Sequence, residues 1–261
     1  MEFQTKKKFG QNFLTDKNLL SAIVSDGEIS SKDEVLEIGP GMGALTEAIS
    51  SKAKKVVSFE IDKDLKPYLL AKELKNVDFY FEDVMDKSLD EIEKLFVGDY
   101  KIVANLPYYI TSPILFKFLG SKKLKSITVM VQKEVAERMI ATEGSKDYGV
   151  LSVSIASYGM AKITRFVGRE MFNPKPNVDS AVVRIDIKKQ FDIDDYKKFF
   201  DFVKTMFSMR RKTLSNNLSH GYNLNKQKLE EVFGSEILKR RAEEFSVLEI
   251  VSLYKKFVTL T

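Results

Sequence analysis

The stretch that decides the fold is Glu37-Ile38-Gly39-Pro40-Gly41-Met42-Gly43-Ala44-Leu45-Thr46. The apolar run before it, residues 35–38, predicts a short buried strand, and the spacing of residues 44–49 predicts a helix. Glycines at alternate positions between them allow a tight turn and the close approach of a ligand. A strand that turns directly into a helix presents backbone N–H groups beside a cavity. The stretch therefore predicts a cofactor-binding turn and leaves the cofactor open.

Strand-like and helix-like segments alternate after this turn. Such a βαβα order predicts a Rossmann-like α/β fold with a mostly parallel sheet, helices on both faces and ligands at the carboxyl ends of the strands. Residues 150–158 fit neither the helical nor the strand period, and residues 163–167 and 181–187 predict two late strands. The other predicted elements are strands at 55–60, 77–81, 101–104 and 127–131, and helices at 65–74, 89–96, 114–119 and 134–140.

The character of the chain changes after residue 188. Aromatic residues then recur at helical spacing from Tyr196 to Phe207, and Ser246 with Glu249 forms a capping-box pattern that opens a last helix. We therefore predict two domains. Residues 1–189 form a catalytic, cofactor-binding domain, and residues 190–261 form a small all-helical domain.

Composition narrows the chemistry. The 261 residues contain no cysteine and one histidine, His220, so disulfides, thiolate metal sites and a cysteine nucleophile are excluded and no metal is expected. No apolar run approaches the roughly 18–20 residues that cross a bilayer, and the N-terminal lysines lack an apolar segment behind them. We therefore expect a cytoplasmic protein without a membrane partner. The net charge of +5 and basic clusters at 6–8, 122–125, 210–212 and 239–241 favour a polyanionic partner.

Two acidic residues follow the next two predicted strands. Gly39, Gly41 and Ala44 match the G-x-G-x-x-G/A pattern, and Glu60 lies 21 residues after Gly39, which is the layout that holds an adenosine ribose through an acidic side chain. This layout does not separate a nicotinamide cofactor from S-adenosylmethionine, because both carry a ribose diol. Asp83, after the third strand, is the candidate acceptor for the adenine amine.

The stretch that indicates the reaction is Asn105-Leu106-Pro107-Tyr108-Tyr109, after the fourth strand. The lone pair of an exocyclic amine on a base is delocalised into the ring, so the amine is a poor nucleophile. The side-chain oxygen of Asn105 and the carbonyl of Leu106 are placed to accept its hydrogens and direct the lone pair toward a methyl donor. Pro107 fixes the backbone and removes a competing N–H, and Tyr108 offers a surface on which a flipped base stacks.

Five motifs of the chain together resemble the ribosomal RNA adenine dimethyltransferases of the KsgA type. The resemblance runs from about residue 6 to near the C-terminus and includes matches at residues 210–218 and 241–244. The five motifs are Phe9-Gly10-Gln11-Asn12-Phe13-Leu14, Glu37-Ile38-Gly39-Pro40-Gly41, Phe59-Glu60-Ile61-Asp62, Asn105-Leu106-Pro107-Tyr108-Tyr109-Ile110-Thr111 and Phe172-Asn173-Pro174-Lys175-Pro176-Asn177-Val178-Asp179-Ser180-Ala181-Val182-Val183.

This resemblance implies a class I methyltransferase that carries methyl groups from S-adenosylmethionine to N6 of two adjacent adenosines near the 3′ end of 16S rRNA. The substrate would be an immature small ribosomal subunit, and we expect the enzyme to act as a monomer. It further implies that Asn105, Leu106, Tyr108 and Phe172 are catalytic, with Phe172 holding the adenine against Tyr108. The implied cofactor-binding residues are Asn12, Leu14, Gly39, Gly41, Glu60, Asp83 and Asn105, and the implied rRNA contacts in the helical domain are Arg210, Arg211 and Lys212.

Three alternatives stay open from the sequence. Erm-type enzymes methylate an adenine of large-subunit rRNA and share the fold and the cofactor turn, although residues 180–183 and 210–214 resemble the small-subunit enzymes more closely. A nicotinamide-dependent oxidoreductase fits the glycine turn but gives no reason for the Asn105–Tyr109 stretch. A non-enzymatic ribosome-assembly factor on a methyltransferase scaffold is the third.

Overall fold

The computed structural model describes residues 13–107, 110–188 and 190–260. Contacts divide the chain into two compact units. The first unit holds the described residues up to Ala136 together with Ala161–Ile187. The second holds Glu137–Met160 and the described residues from Lys188 onward.

Nine strands form in the described chain. They are β1 (Phe13–Leu14), β2 (Glu34–Ile38), β3 (Lys55–Phe59), β4 (Val77–Tyr80), β5 (Tyr100–Asn105), β6 (Leu124–Gln132), β7 (Gly159–Val167), β8 (Phe172–Asn173) and β9 (Ser180–Ile187). Seven of them make one sheet in the order β4-β3-β2-β5-β6-β9-β7, while β1 and β8 form a separate antiparallel pair.

The main sheet is mostly parallel, as the sequence predicts. Strands β2 to β6 pair in parallel, and β9 runs antiparallel to β6. All five residues of the central strand β2 are buried, the apolar Val35, Leu36 and Ile38 together with the glutamates at 34 and 37. Register places Ile38 beside Phe59 and Asn105 beside Met130. The residues that follow β2, β3 and β5 therefore meet at one edge of the sheet.

The helices follow the predicted order, with shifted ends. They are α1 (Lys17–Asp26), α2 (Ala44–Ser50), α3 (Lys66–Leu70), α4 (Leu89–Glu93), α5 (Thr111–Leu119), α6 (Lys133–Met139), α7 (Val150–Tyr158), α8 (Tyr196–Met206), α9 (Leu214–Tyr222), α10 (Lys226–Phe233), α11 (Ser235–Lys239) and α12 (Val247–Val258). The helix predicted at 65–74 is a 3₁₀ turn, Lys63–Leu65, followed by the short α3. It could not extend to residue 74, because Glu73 adopts a φ of 50°, which a right-handed helix excludes.

The second unit has its own apolar core, which includes aromatic residues of α8 and α12 such as Phe199, Phe202 and Tyr254. Helix α7 belongs to this unit. Seven of its nine residues are buried, three of them serines, so both sides of the helix are covered and the sequence shows no helical period. The sequence predicts one boundary, between residues 189 and 190. The two compact units of the structure differ from this, because residues 137–160 belong with the C-terminal helices. No helix in the described ranges is both long and apolar enough to span a bilayer.

Candidate active site

A cavity of about 400 Å³ lies in the first unit at the carboxyl ends of β2, β3, β4 and β5. This volume is within the range of small-molecule and cofactor sites. The walls come mainly from these four strand ends and from the N-terminal segment of the described chain. Of the residues predicted for the site, those that line the cavity are Leu14, Gly39, Gly41, Glu60, Asp83, Asn105 and Leu106.

The glycine turn between β2 and α2 is strained for any residue with a side chain. Gly39, Gly41 and Gly43 have φ values of 72°, 57° and 78°. Among the described residues, a Cβ on Gly39 would meet only Pro107 Cδ, at 3.9 Å, so the backbone there faces the beginning of the loop after β5. A Cβ on Gly41 would lie 2.8 Å from Phe13 Cε1. The turn therefore needs glycine both for its backbone angles and for the close approach of Phe13.

Replacing Gly41 by alanine tests this packing. Gly144 is a matched control, because its φ of 80° is equally unfavourable for alanine while nothing lies within 4 Å of the added Cβ. We expect Gly144→Ala to lower the free energy of unfolding by about 1 kcal/mol, the cost of the left-handed conformation. Gly41→Ala should cost about 2 kcal/mol more, because the Phe13 ring must move. Urea denaturation of both variants measures the difference, and equal losses would contradict the role of Phe13.

Glu60 is fixed beside the turn by backbone groups. The side chain is 5% exposed, with Oε2 accepting from the N–H of Gly41 at 3.1 Å and Oε1 accepting from the N–H of Asp62 at 2.8 Å. Burial raises the pKa of Glu60, and the neighbouring Asp62 carboxylate adds to the shift while these hydrogen bonds oppose it. Each carboxylate oxygen has further acceptor capacity. A cavity-lining carboxylate held in this way can accept hydrogen bonds from a ribose diol.

Asp83 begins a loop that a lysine of another element holds in place. Its Oδ1 accepts from the N–H of Met85 at 2.8 Å, which caps a 3₁₀ turn. Lys117 of α5 donates through Nζ to the carbonyls of Val84 (2.8 Å), Met85 (3.0 Å) and Lys87. Partial burial lowers the pKa of Lys117, and nearby acidic groups, among them Asp83, oppose that shift. The loop that carries Asp83 is therefore attached to the helix that follows the Asn105 segment.

The segment after β5 enters the cavity as a defined backbone. Leu106 is buried, and its N–H donates to the carbonyl of Met130 on β6 at 3.2 Å. The carbonyl of Pro107 accepts from the N–H of Ile110 and from Thr111 Oγ1, both at 3.2 Å. Asn105 and Leu106 thus border the cavity on a backbone that is fixed on both sides. Tyr108, predicted as a stacking surface, lies outside the described residues.

The N-terminal segment and the Phe172 loop meet in the β1–β8 pair. Leu14 lies opposite Phe172, and Phe13 lies opposite Asn173. Phe172 is only 5% exposed and packs in the same apolar cluster as Leu14 rather than lining the cavity, whereas Asn173 does line it. The predicted contact of Phe172 with a target adenine stays a prediction and requires its ring to leave this cluster. Asn12 lies outside the described residues.

Sequence reasoning missed the environment of Glu37, which is fully buried in β2 just before the glycine turn. Its Oε2 accepts from Thr46 Oγ1 at 2.7 Å and from Ser58 Oγ at 2.8 Å, while Oε1 is buried with no hydrogen-bond partner among the described residues. Burial raises the pKa of Glu37 to about 7, with a contribution from the nearby Glu60. A glutamate inside an apolar strand, with hydroxyl residues on the neighbouring helix and strand, was the signal for this site.

Stability should therefore depend on pH through Glu37. Its carboxyl has an ordinary pKa of 4.5 and a folded pKa of about 7, so the folded state holds the proton more tightly. The resulting stabilisation is complete below pH 4.5 and is lost as pH rises through 7, by about 3 kcal/mol in total. Glu37→Gln, which cannot ionise, should remove this pH dependence. Urea denaturation between pH 5 and pH 8 gives the slope of the free energy of unfolding against pH for the wild type and for Glu37→Gln. Equal slopes in the two proteins would contradict the assignment of this pH dependence to Glu37.

The predicted RNA-binding residues lie in the second unit, in the turn between α8 and α9. Arg210, Arg211 and Lys212 are all exposed. A residue that the sequence did not single out, Asn217, organises this turn. Its buried amide accepts from the N–H of Met209 at 3.1 Å and from Ser208 Oγ at 3.2 Å, and donates to the carbonyl of Met206 at 2.7 Å.

The described residues contain no group of three or more histidine, aspartate or glutamate side chains arranged to hold a metal ion. The acidic residues near the cavity engage backbone N–H groups and hydroxyls instead. The chemistry of the site is therefore that of hydrogen-bond acceptors around a cofactor-sized cavity.

A glycine turn after β2, an acid after β3 and an Asn-Leu-Pro segment after β5, around one cavity, define a class I S-adenosylmethionine-dependent methyltransferase. The sequence matches the model of the family described as "Ribosomal RNA adenine dimethylase" over residues 2–257. The chain belongs to this family, and it is an rRNA adenine dimethyltransferase. The predicted fold, family and cofactor are thereby confirmed.

Individual relatives agree with this assignment. The chain is 43% identical to "Ribosomal RNA small subunit methyltransferase A" of Geobacillus kaustophilus (strain HTA426), over 96% of this chain and 90% of that protein. It is 44% identical to the protein of the same name from Bacillus cytotoxicus, over 98% and 92%. Among solved structures, a dimethyladenosine transferase from Plasmodium falciparum superposes with a TM-score of 0.80 at 27% identity, over 95% and 98%. The 23S rRNA methyltransferase ErmE shares the fold, with a TM-score of 0.64 at 23% identity over 94% and 99%.

The cavity fits S-adenosylmethionine on its own geometry. Open space lies against Gly39, where a Cβ would project, and the carboxylates of Glu60 and Asp83 line the wall at the next two strand ends. When bound, the cofactor supplies an electrophilic methyl group. The residues of the chain have the remaining tasks, which are to hold the cofactor and to orient the acceptor amine.

Proposed function

We propose that this enzyme methylates N6 of two adjacent adenosines near the 3′ end of 16S rRNA, giving N6,N6-dimethyladenosines in an immature small ribosomal subunit. The observation that supports this most directly is the Asn105–Leu106–Pro107 segment, which borders the cavity and faces the glycine turn. The relatives named for the small subunit, which match over nearly the whole chain, support the choice of subunit.

In the proposed mechanism, Asn105 Oδ1 and the carbonyl of Leu106 accept the two hydrogens of the adenine amine. This removes lone-pair density from the ring system and directs it toward the methyl donor. Pro107 contributes no N–H that competes for these acceptors. A strong base is unnecessary, because the methylated ammonium is acidic and loses its proton readily. A second transfer uses one of these acceptors, since the monomethylated amine keeps one hydrogen to donate and one lone pair to receive the methyl group.

We assign the predicted residues as follows. Glu60 binds the ribose hydroxyls and Asp83 the adenine amine of the cofactor, while Gly39 and Gly41 lie against its methionine and ribose side. Asn12 and Leu14 close over the cofactor, Asn105 contacts both reactants, and Tyr108 with Phe172 holds the target adenine. Residues 190–261 recognise rRNA. The enzyme acts as a monomer in the cytoplasm.

The decisive experiment measures tritium transfer from S-adenosylmethionine onto undermethylated ribosomal subunits. We expect label on small subunits and background label on large subunits. Primer extension on the labelled 16S rRNA should then stop at two adjacent adenosines near the 3′ end. Label confined to large subunits would overturn the proposal in favour of an Erm-type activity. Absence of label from both, with the cofactor bound, would favour an assembly factor without catalysis.

The basic turn between α8 and α9 gives a further prediction. Replacing Arg210, Arg211 and Lys212 together by glutamine should weaken binding to small subunits. The slope of log K against log salt concentration should become shallower by about 2, since each lost phosphate contact contributes roughly 0.7–0.9 to that slope. Lys239→Gln is the control, because Lys239 is already paired with Glu236 at 2.6 Å. Filter binding across a salt series measures the slopes. An unchanged slope for the triple variant would exclude this turn from rRNA contact.

A further inference from the structure

An exposed aromatic ring lies on the first unit outside the cavity. Phe166 of β7 is 63% exposed, and Lys133, the first residue of α6, places Nζ 5.5 Å from the centre of its ring. Strand β7 is the terminal strand of the sheet order and has β9 as its neighbour. Burying a phenylalanine ring contributes roughly 1.5–3 kcal/mol, so an exposed one forgoes that stabilisation in the free protein.

Strand register places this ring on the same edge of the sheet as the cavity. The N–H of Lys188 donates to the carbonyl of Tyr158, and Thr164 Oγ1 donates to the carbonyl of Val182. Strand β7 therefore runs antiparallel to β9 and parallel to β6. Continuing this register puts Phe166 near Ser180, which pairs with Gln132 at the carboxyl end of β6. From β5 to β7 there are three strand spacings, or about 14 Å. Phe166 therefore lies within reach of a nucleotide that flanks a base in the cavity.

Three exposed cations lie around Phe166, and Lys133 is the one placed against its ring. Lys162 and Arg169 are exposed, and Lys133 lies over the ring. Arg165 is neutralised by Asp26, with Nε to Oδ2 at 2.6 Å and Nη2 to Oδ1 at 2.7 Å.

Three exposed carboxylates oppose these cations. Glu134 follows Lys133, Glu170 follows Arg169, and Asp179 accepts from the N–H of Arg169 through Oδ1 at 3.1 Å. An aromatic surface beside cations, at the edge where the substrate enters, is the arrangement by which proteins bind single-stranded nucleic acid.

We propose that Phe166 is a stacking surface for a base of the rRNA strand flanking the target adenosines, with Lys133 beside a phosphate of that strand. This inference rests on the proposed function, because it assumes rRNA as the substrate. It adds a contact between the first unit and the RNA beyond the target base itself.

Substitutions at residue 166 separate stacking from simple apolar contact. Phe166→Ala should raise the KM for undermethylated small subunits about 10-fold, since one base–aromatic stack contributes roughly 1–3 kcal/mol. Phe166→Leu keeps an apolar side chain without a π face and should resemble alanine, whereas Phe166→Tyr should retain wild-type KM. Cofactor affinity should be unchanged in all three. Val97→Ala is the matched control, because Val97 is 88% exposed and precedes β5 at the opposite edge of the sheet.

A photocrosslinking residue at position 166, p-benzoylphenylalanine, identifies the partner. Crosslinks to 16S rRNA close to the methylated adenosines support the proposal, and crosslinks confined to a ribosomal protein overturn it. Wild-type kinetics for Phe166→Ala, or for Phe166→Leu, also overturn it. Methyl transfer by the wild-type enzyme in the same assay tests the proposed function separately from the role of Phe166. Absence of that transfer would contradict the proposed function itself.

Discussion

Asn105→Ala should reduce kcat on undermethylated small subunits by about 10²–10³-fold, which is the usual effect of removing one oriented polar group from a transition state. Asn105 borders the cavity at the end of β5, and its neighbour Leu106 is held by Met130 on β6. The alanine variant loses the side-chain acceptor, so the amine of the base is no longer directed. Single-turnover tritium transfer measures the effect independently of product release.

Asn105→Asp is the matched control for this variant. The aspartate keeps an oxygen at the same position and should therefore retain more activity than alanine, although its charge changes the electrostatics of the cavity. The KM for small subunits should change little in either variant, because the RNA contacts proposed for the basic turn between α8 and α9 are unchanged. Full methyl transfer by Asn105→Ala would overturn the proposed mechanism while leaving the family assignment intact.

Glu60→Ala should weaken the binding of S-adenosylmethionine about 100-fold. The substitution removes the charged acceptor proposed for the ribose hydroxyls and leaves the N–H groups of Gly41 and Asp62 without their present partner. Hydrogen bonds to charged groups contribute roughly 1.5–3 kcal/mol each, and two of them account for a change of this size. Isothermal titration calorimetry with S-adenosylmethionine gives the dissociation constant directly.

Two variants act as controls for the Glu60 prediction. Glu60→Gln keeps one acceptor oxygen and the shape of the side chain, so we expect about 10-fold weaker binding. Asp78→Ala removes a largely exposed carboxylate from the neighbouring strand β4, where it pairs with Lys55, and should leave the affinity unchanged. Equal affinity in the wild type and in Glu60→Ala would exclude Glu60 from the cofactor site.

The parallel sheet could be predicted because its strands are short, apolar and separated by helical segments. Helix α7 could not, because burial on both sides removes the periodicity that identifies a helix. The antiparallel course of β9 was equally inaccessible. A strand sequence carries no signal for direction, and the Phe172–Val183 motif shows only that a proline-bearing loop precedes the strand.

At the site, the residues at the strand ends could be predicted because strand order alone brings them to one edge. The residues whose positions are fixed by tertiary contacts could not be predicted from the sequence. Phe172 packs with Leu14 in the core, which nothing in its local sequence indicates. The buried environment of Glu37 depends on Thr46 and Ser58, which reach it from two different elements. Asn217 is distant in sequence from Met206, whose carbonyl it binds.

The attachment of Lys117 to the loop after Asp83 has a consequence for how this enzyme can change. Helix α5 follows the segment proposed to orient the acceptor, so the residues proposed for cofactor recognition and for acceptor orientation share one structural support. Substitutions at residues 83 and 105 should then be epistatic, although the two side chains belong to different loops. A substitution that changes specificity at one of these loops should therefore require a compensating substitution at the other.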